Sequence, residues 1–448
     1  MAKHNFRVFQ KLLIELCLCS VLLGLASCSS NSKIATAPSS AETPSDSVQI
    51  PTESSPAPSA FPETEAPDPT VTVEYLTDTE IPTGDSADIL VSRGILRETA
   101  FPDLLTGGGW ILGADEAGNI LILDTPSNEI RSVATDGSYR TLATDLMAGK
   151  DGGYCTAVWD GGKWVAWSTT PYYDPATDET HGADWKLYLL NLETGEIILV
   201  DEDDGLEAVE GDETYRAPGT VAIGDGYLAY NTFVPREDGM NVQGIKLYSI
   251  ASGELQTIYV LQGNPLENQL GDPSIGDGKC CFAQAEITPS YQYIGYSLEF
   301  NLAEEQIWRV ETEENLINPV AAGGFLFAEN HPNTTFYNSE IVAMDCGTHT
   351  WRYKITSNYP GYERKDGVCL GAVSSWGNYV SWNATIVKTI LVFQTEEEKL
   401  YPIPTQTTAN DLQNIHLLPG GLMTWNEWYI DEDGNYTPAW CYCMLKCI

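Results

Sequence analysis

The chain has 448 residues and carries 23 lysines and arginines against 63 aspartates and glutamates, a formal net charge of −40 at pH 7. So acidic a surface repels a phosphate backbone, which excludes nucleic acid as a partner. It equally repels anionic lipid and polyanionic wall polymers, and it favours cations, basic peptides or neutral sugars.

Lys3, Arg7 and Lys11 lead into a largely apolar stretch from Leu12 to Leu25 that ends in small residues, the three-part pattern of a cleavable secretion signal. A membrane span needs about 20 apolar residues, and Glu15 interrupts this shorter run. At its end Leu25-Ala26-Ser27-Cys28 resembles the lipobox of bacterial lipoproteins. That resemblance implies that residues 1–27 are a signal peptide and that Cys28 becomes the mature N-terminus, with a diacylglycerol on its sulfur and a palmitate-type chain anchoring it in a membrane. An ordinary signal peptide is the plainer alternative. Two acyl chains make a durable anchor, since each buried methylene contributes about 0.8 kcal/mol. Cleavage would leave 20 basic against 62 acidic residues.

Residues 28–70 form the lipidated cysteine and a linker of Ser, Thr, Pro, Ala and Glu, with Phe61 almost its only large apolar group. It cannot bury enough surface to fold. A proline-rich tether extends by at most about 3 Å per residue, so it would lift the following domain on the order of 100 Å.

From residue 100 onward short runs of apolar, aromatic and β-branched residues alternate with Gly, Asp, Asn and Pro turns, which predicts an all-β domain, placed at residues 71–448. One motif, a glycine-rich turn followed by a strongly apolar run, recurs seven times. It reads Gly107-Gly-Gly-Trp-Ile-Leu-Gly, Gly161-Gly-Lys-Trp-Val-Ala-Trp, Gly224-Asp-Gly-Tyr-Leu-Ala-Tyr, Gly276-Asp-Gly-Lys-Cys-Cys-Phe, Gly323-Gly-Phe-Leu-Phe-Ala, Trp376-Gly-Asn-Tyr-Val-Ser-Trp and Gly420-Gly-Leu-Met-Thr-Trp. A second hairpin follows several copies, clearest from Trp185 and from Ile245. A period near 50 residues with four strands per unit is the signature of a β-propeller, whose blades bury their faces only by stacking radially. Seven four-stranded blades are expected, with six or eight still open, and a two-sheet sandwich is the competing architecture.

The last unit stops at Ala439-Trp-Cys-Tyr-Cys-Met-Leu-Lys-Cys-Ile448, its third strand. A missing fourth strand would leave an unpaired edge. Either Val71–Leu76 or Ile89–Ser92 is the natural donor. Residues 71–448 thus resemble TolB-like and WD-repeat-like propellers of bacterial surface lipoproteins. Trp159-Asp160 occurs once, without the Gly-His and Trp-Asp pair repeated per blade, so no WD-repeat partner is carried over.

No Gly-x-Ser-x-Gly elbow, Walker loop, His-Glu-x-x-His or sialidase-type Asp box is present, and no catalytic set is assigned. His181, His331, His349 and His416 are scattered across the repeats, and no metal site is assigned to them. Asp431-Glu-Asp433-Gly434-Asn435 begins like a calcium loop, but Tyr436 and Tyr442 stand where glycine and a bidentate glutamate belong, so it reads as a hairpin turn. Asp115–Asn119 reads the same way.

Two acidic loops, Tyr172–Asp184 and Asp201–Glu213, are longer than hairpins need. They are expected to project from different or only partly shared rims. The first supplies the candidate ligand-binding residues Tyr172, Tyr173, Asp174, Asp178 and Trp185, with calcium the only cofactor considered, while a solvated loop is the simpler reading. Cys155, Cys280, Cys281, Cys346, Cys369, Cys441, Cys443 and Cys447 read as packed thiols, with a disulfide or a cysteine-rich site as alternatives.

The expected function is a lipid-anchored extracytoplasmic propeller that binds a peptide, glycan or envelope protein without catalysis. The alternatives are a glycan-active or other hydrolytic propeller using carboxylates in the central pocket, and a structural or sensor lipoprotein with no small-molecule site.

Overall fold

The computed structural model describes residues 76–77, 80–96, 109–134, 136–146, 153–171, 182–207, 209, 214–287, 293–310, 315–331, 340–356, 370–384, 390–404, 411–430 and 436–446. The strands form seven sheets, antiparallel except for one short N-terminal strand. Six are continuous in sequence: I (109–143), II (153–202), III (221–260), IV (268–309), V (316–355) and VI (370–403). The seventh combines residues 411–445 with the N-terminal strand Leu90–Ile95. First strands of successive sheets touch one another in unbroken order from I to VII and back to I. The protein is therefore a seven-bladed β-propeller, with first strands lining the axis and fourth strands at the perimeter.

The burial pattern explains why the inner strands are apolar on both faces. In blade II the second strand, Trp164–Thr170, is buried from Val165 onward, and Leu187 to Asn191 of the third are buried too. The fourth, Ile197–Glu202, leaves Ile197 and Leu199 exposed. Aromatic rings fill the wedges between blades. Phe393 of blade VI sits 5.4 Å from Phe327 and 5.1 Å from Tyr353 of blade V. Tyr259 of blade III meets Phe282 of blade IV at 5.2 Å.

Polar contacts also link neighbours. Asp225 and Asp277, both at positive φ in first-to-second strand turns, reach forward one blade. Each accepts a backbone N–H, from Gly278 at 2.8 Å and from Gly324 at 2.7 Å. Near the axis the Ser168 and Ser274 hydroxyls donate to the carbonyls of Pro218 and Pro319 on the following blades, both at 2.7 Å. The recurring Gly-Asp-Gly turn is thus an inter-blade latch as well as a hairpin.

Of the two segments proposed as ring closers, Ile89–Ser92 supplies the closing strand, while Val71–Leu76 lies outside the described residues except for Leu76. Leu90–Ile95 is the fourth strand of blade VII, antiparallel to its third strand, Tyr436–Leu445. Leu76–Thr77 instead pairs in parallel with the outer strand of blade V. Between them Gly84 donates to Leu400 O and Leu400 to Pro82 O, both at 2.9 Å, on the outer strand of blade VI. A Cβ on Gly84 would collide with the Tyr401 ring, and Ile81 and Ile89 are buried beside it. Residues 76–96 therefore strap three consecutive blades.

One repeat is out of phase with its sequence motif. Gly109–Ala114, which carries Trp110, is the inner strand of blade I, where the other six copies place the glycine turn after that strand. The corresponding hairpin is Asp115–Asn119, where Asp115 Oδ1 accepts the N–H groups of Ala117 and Asn119 at 3.0 and 2.9 Å.

Replacing Phe393 by alanine empties the shared wedge of blades V and VI and should cost about 3–5 kcal/mol, read by denaturant unfolding. A chain lacking residues 1–96 loses both strap and closing strand, and should melt at a markedly lower Tm than one lacking residues 1–75.

Candidate functional site

Strand order divides the connections between two rims. First-to-second and third-to-fourth turns share one rim and are short, such as 225–226, 277–278 and 395–398. Second-to-third connections and the crossings to the next blade share the other rim. The strands flanking the long connections 97–108, 171–185, 203–220 and 356–369 end at that rim. Long loops on a rigid scaffold are where binding groups collect, so the candidate face is this crossover rim.

The described ends of the two acidic loops, residues 182–184 and 201–207, meet on it, contrary to the expectation from sequence. A second-to-third connection and an outgoing crossing leave an antiparallel four-stranded blade at the same end. The Asp184 N–H donates to Asp203 Oδ2 at 2.6 Å, and Asp203 N–H to Trp185 O at 2.8 Å. Arg216 then ties the crossing down, with Nη2 at 3.3 Å from Asp203 Oδ2 and Nη1 donating to Leu206 O at 2.8 Å. Farther along, Asn241 Nδ2 donates to Glu207 O at 2.8 Å. Asp201 Oδ2 accepts Tyr230 Oη at 2.5 Å and Lys246 Nζ at 2.8 Å, clamping blade II to blade III. Burial, and next the Asp201 carboxylate, push the Tyr230 phenol well above its ordinary range, so it remains a donor. With these cations already paired, Asp204 and Glu207 stay exposed on the rim.

Of the candidate ligand-binding residues, Tyr172, Tyr173, Asp174 and Asp178 lie outside the described residues. Trp185 is 2% exposed and packs edge-on against Tyr230, with centroids 6.2 Å apart, in the wedge between blades II and III. Its ring is a core element that fixes where the loop begins. Cys28, Cys369, Cys447, His181 and the 431–435 turn also lie outside the described residues.

The innermost strands carry polar groups that sequence reasoning passed over. The first strand of blade IV is broken at Gly271-Asp272-Pro273, between Asn268–Leu270 and Ser274–Gly276. Proline has no N–H for the sheet ladder, which confines it to edges and breaks. Asp272, at this break, is exposed.

In blade V the equivalent break is Asn318-Pro319, with Asn318 at φ 49° and the pairing register slipping between Ile317 and Val320. Asn318 Nδ2 donates to the buried Glu329 Oε1 at 2.7 Å, and Glu329 Oε2 lies 3.4 Å from His331 Nε2. His416, on the first strand of blade VII, is enclosed and half-buried, and burial lowers its pKa from 6.5, so it is neutral at pH 7. Asx-Pro dipeptides inside predicted inner strands were the available sequence signal.

Among the described residues, no three His, Cys, Asp or Glu side chains converge on a metal position. Cys155, Cys280, Cys281, Cys346, Cys441 and Cys443 are free thiols, and all but Cys346 are buried. Burial pushes the Cys280 and Cys443 thiols up to about 12.

No family model matches the chain, and no curated protein matches it in sequence. Among solved structures it is similar to an oligogalacturonate lyase from Vibrio parahaemolyticus, at 12% identity over 82% of this chain and 94% of that one, with a TM-score of 0.44. YCF48 bound to a D1 peptide gives 10% identity, 82% and 100% coverage and a TM-score of 0.44. The propeller domain of the Trilobed protease from Pyrococcus furiosus, described as having an open velcro topology, gives 11%, 74% and 91% coverage, and 0.41. These are likenesses of fold.

Arg216→Ala would leave Asp203 without its counter-ion and release the crossing, costing about 1–3 kcal/mol by denaturant unfolding. Iodoacetamide at pH 8 should leave Cys155, Cys280, Cys281, Cys441 and Cys443 unmodified in the native protein and alkylate all five in denaturant, because the thiolate is the reactive form. Peptide mass mapping reads both states.

Proposed function

We propose that this propeller is exported, held to the outer face of a bacterial membrane through a lipid on Cys28, and binds a basic peptide or protein on its crossover rim without catalysis. The observation that carries the reading is the unequal division of the connections. One rim is built of short turns latched to each other, while the other gathers the long connections and fixes the acidic crossing 203–207 with Asp203 and Arg216. A rim held this way presents Asp204 and Glu207 at set positions without an ordering cost on binding. The net charge of −40 adds long-range attraction for a cationic partner.

The test is a screen of the full chain against arrays of basic and neutral peptides and of glycans, read by direct binding at two salt concentrations. Basic peptides should bind, and raising the salt should slow their association. Asp204→Asn combined with Glu207→Gln should reduce the association rate about two- to tenfold and change dissociation little. Binding confined to neutral glycans, indifferent to salt and to these substitutions, would overturn the basic-partner reading. Metabolic labelling with a palmitate analogue tests the anchor, which Cys28→Ser should abolish.

A further inference from the structure

We propose that the outer edge of blade II, Ile197–Glu202, is where the basic partner docks, as an extended segment that adds a fifth strand to the blade. This rests on the crossover-rim reading, because the strand runs directly into the crossing that carries Asp204 and Glu207.

A strand at the end of a sheet keeps one row of N–H and C=O groups unpaired, a template for another chain. The N-terminal strap uses that template on three blades. Leu76–Thr77 pairs in parallel with the outer strand of blade V, Thr83 and Gly84 meet that of blade VI, and Leu90–Ile95 completes blade VII. Among the described residues the outer edges of blades I to IV have no such partner. Blade I carries Arg140 on its edge and blade IV Arg309, charges that discourage pairing, and blade III exposes no large apolar side chain there. Blade II differs. Its edge runs Ile197-Ile-Leu-Val200, with Ile197 41% and Leu199 47% exposed.

The ladder fixes which groups face outward. The Asn191 N–H donates to Glu196 O at 2.9 Å and the Asp203 N–H to Trp185 O at 2.8 Å, so hydrogen-bonded pairs close both ends of the hairpin. Between them hydrogen-bonded and non-hydrogen-bonded pairs alternate. Leu190 with Ile197, Tyr188 with Leu199, and Lys186 with Glu202 are the non-hydrogen-bonded pairs, the register shifting at Val200. The N–H and C=O groups of Ile197, Leu199 and Glu202 thus point away from the blade. Their side chains share one face, because they stand opposite alternate residues of the third strand. Glu202 lies 2.5 Å from Lys186 Nζ, an ion pair in which both side chains stay exposed.

An added strand meets, in order along one face, two apolar side chains and a carboxylate, and then approaches Asp204 and Glu207. Its complement has apolar side chains at alternate positions followed by basic ones. Charge favours such a segment over a second copy of this chain, which would bring a further −40 to the contact.

The probe is the peptide acetyl-Val-Thr-Val-Thr-Lys-Thr-Lys amide, titrated into the full chain by calorimetry. Two N-methylated forms each block one alternate set of its backbone N–H groups. The unmodified peptide and one methylated form should bind. The other form should bind about tenfold or more weaker, because one row of an added strand's donors faces the blade. Leu199→Pro removes an outward N–H and no bond within the blade, so it should keep the Tm and lose the peptide. Ile197→Thr combined with Leu199→Thr exchanges two exposed side chains for others that favour strands, and should weaken the peptide about three- to tenfold.

Equal binding of the two methylated forms, or undiminished binding by Leu199→Pro, would overturn the proposal. So would a concentration-dependent dimer of the chain alone that Leu199→Pro abolishes. Failure of the rim reading looks different: the peptide binds through the edge, while salt and the Asp204→Asn, Glu207→Gln pair have no effect. A peptide that depends on those two acids and is untouched by Leu199→Pro removes the edge and keeps the rim.

Discussion

A four-stranded antiparallel blade has two apolar faces and no means of covering either by itself. Burial of both faces against neighbouring blades is the constraint from which the rest of this molecule follows. It dictates strands such as Trp164–Thr170 that are buried along almost their whole length, and it places the aromatic rings of Phe327, Tyr353 and Phe393 in the wedges. It also makes the ring all or nothing, because an open ring would leave two blades each with a bare face and an unpaired edge.

Closure is accordingly the most elaborated part of the structure. The fourth strand of blade VII comes from the opposite end of the chain, and the residues before it continue around the perimeter to blades VI and V. Joining the two chain ends opposes radial separation of the first and last blades. The strap adds the same restraint at two further boundaries, where the buried Ile81 and Ile89 enter the core shared by blades V to VII. Latches from Asp225 and Asp277 on the turn rim work in the same sense.

Closing the ring creates two environments with no counterpart in a sandwich. One is the pair of unequal rims, which follows from an even number of antiparallel strands per blade. The other is the axial channel, bounded by first strands whose inner edges need no ladder partner. Prolines are tolerated there for that reason, and Pro218, Pro273 and Pro319 occupy the first strands, or the residues leading into them, of three successive blades. Beside Pro319, Asn318 leaves the regular pleat at φ 49°.

The sequence by itself determined the all-β class, a repeat of four strands with seven units favoured over six or eight, and the need for an N-terminal strand in the last blade. These rest on periodicity and composition, which are local and repeat along the chain. Its acidic charge and its long loops were also legible, as were the thiols packed in apolar runs. The tertiary structure decided what depends on residues distant in sequence: that Tyr172–Asp184 and Asp201–Glu213 start from one rim, that Trp185 is core, and that Gly109–Ala114 is an inner strand. It also decided that Asp272 and Asn318, 46 positions apart, sit at breaks in the inner strands of adjacent blades. A repeat announces its own strands, but the end of a blade at which a loop emerges and the neighbour a carboxylate faces are set only when the ring closes.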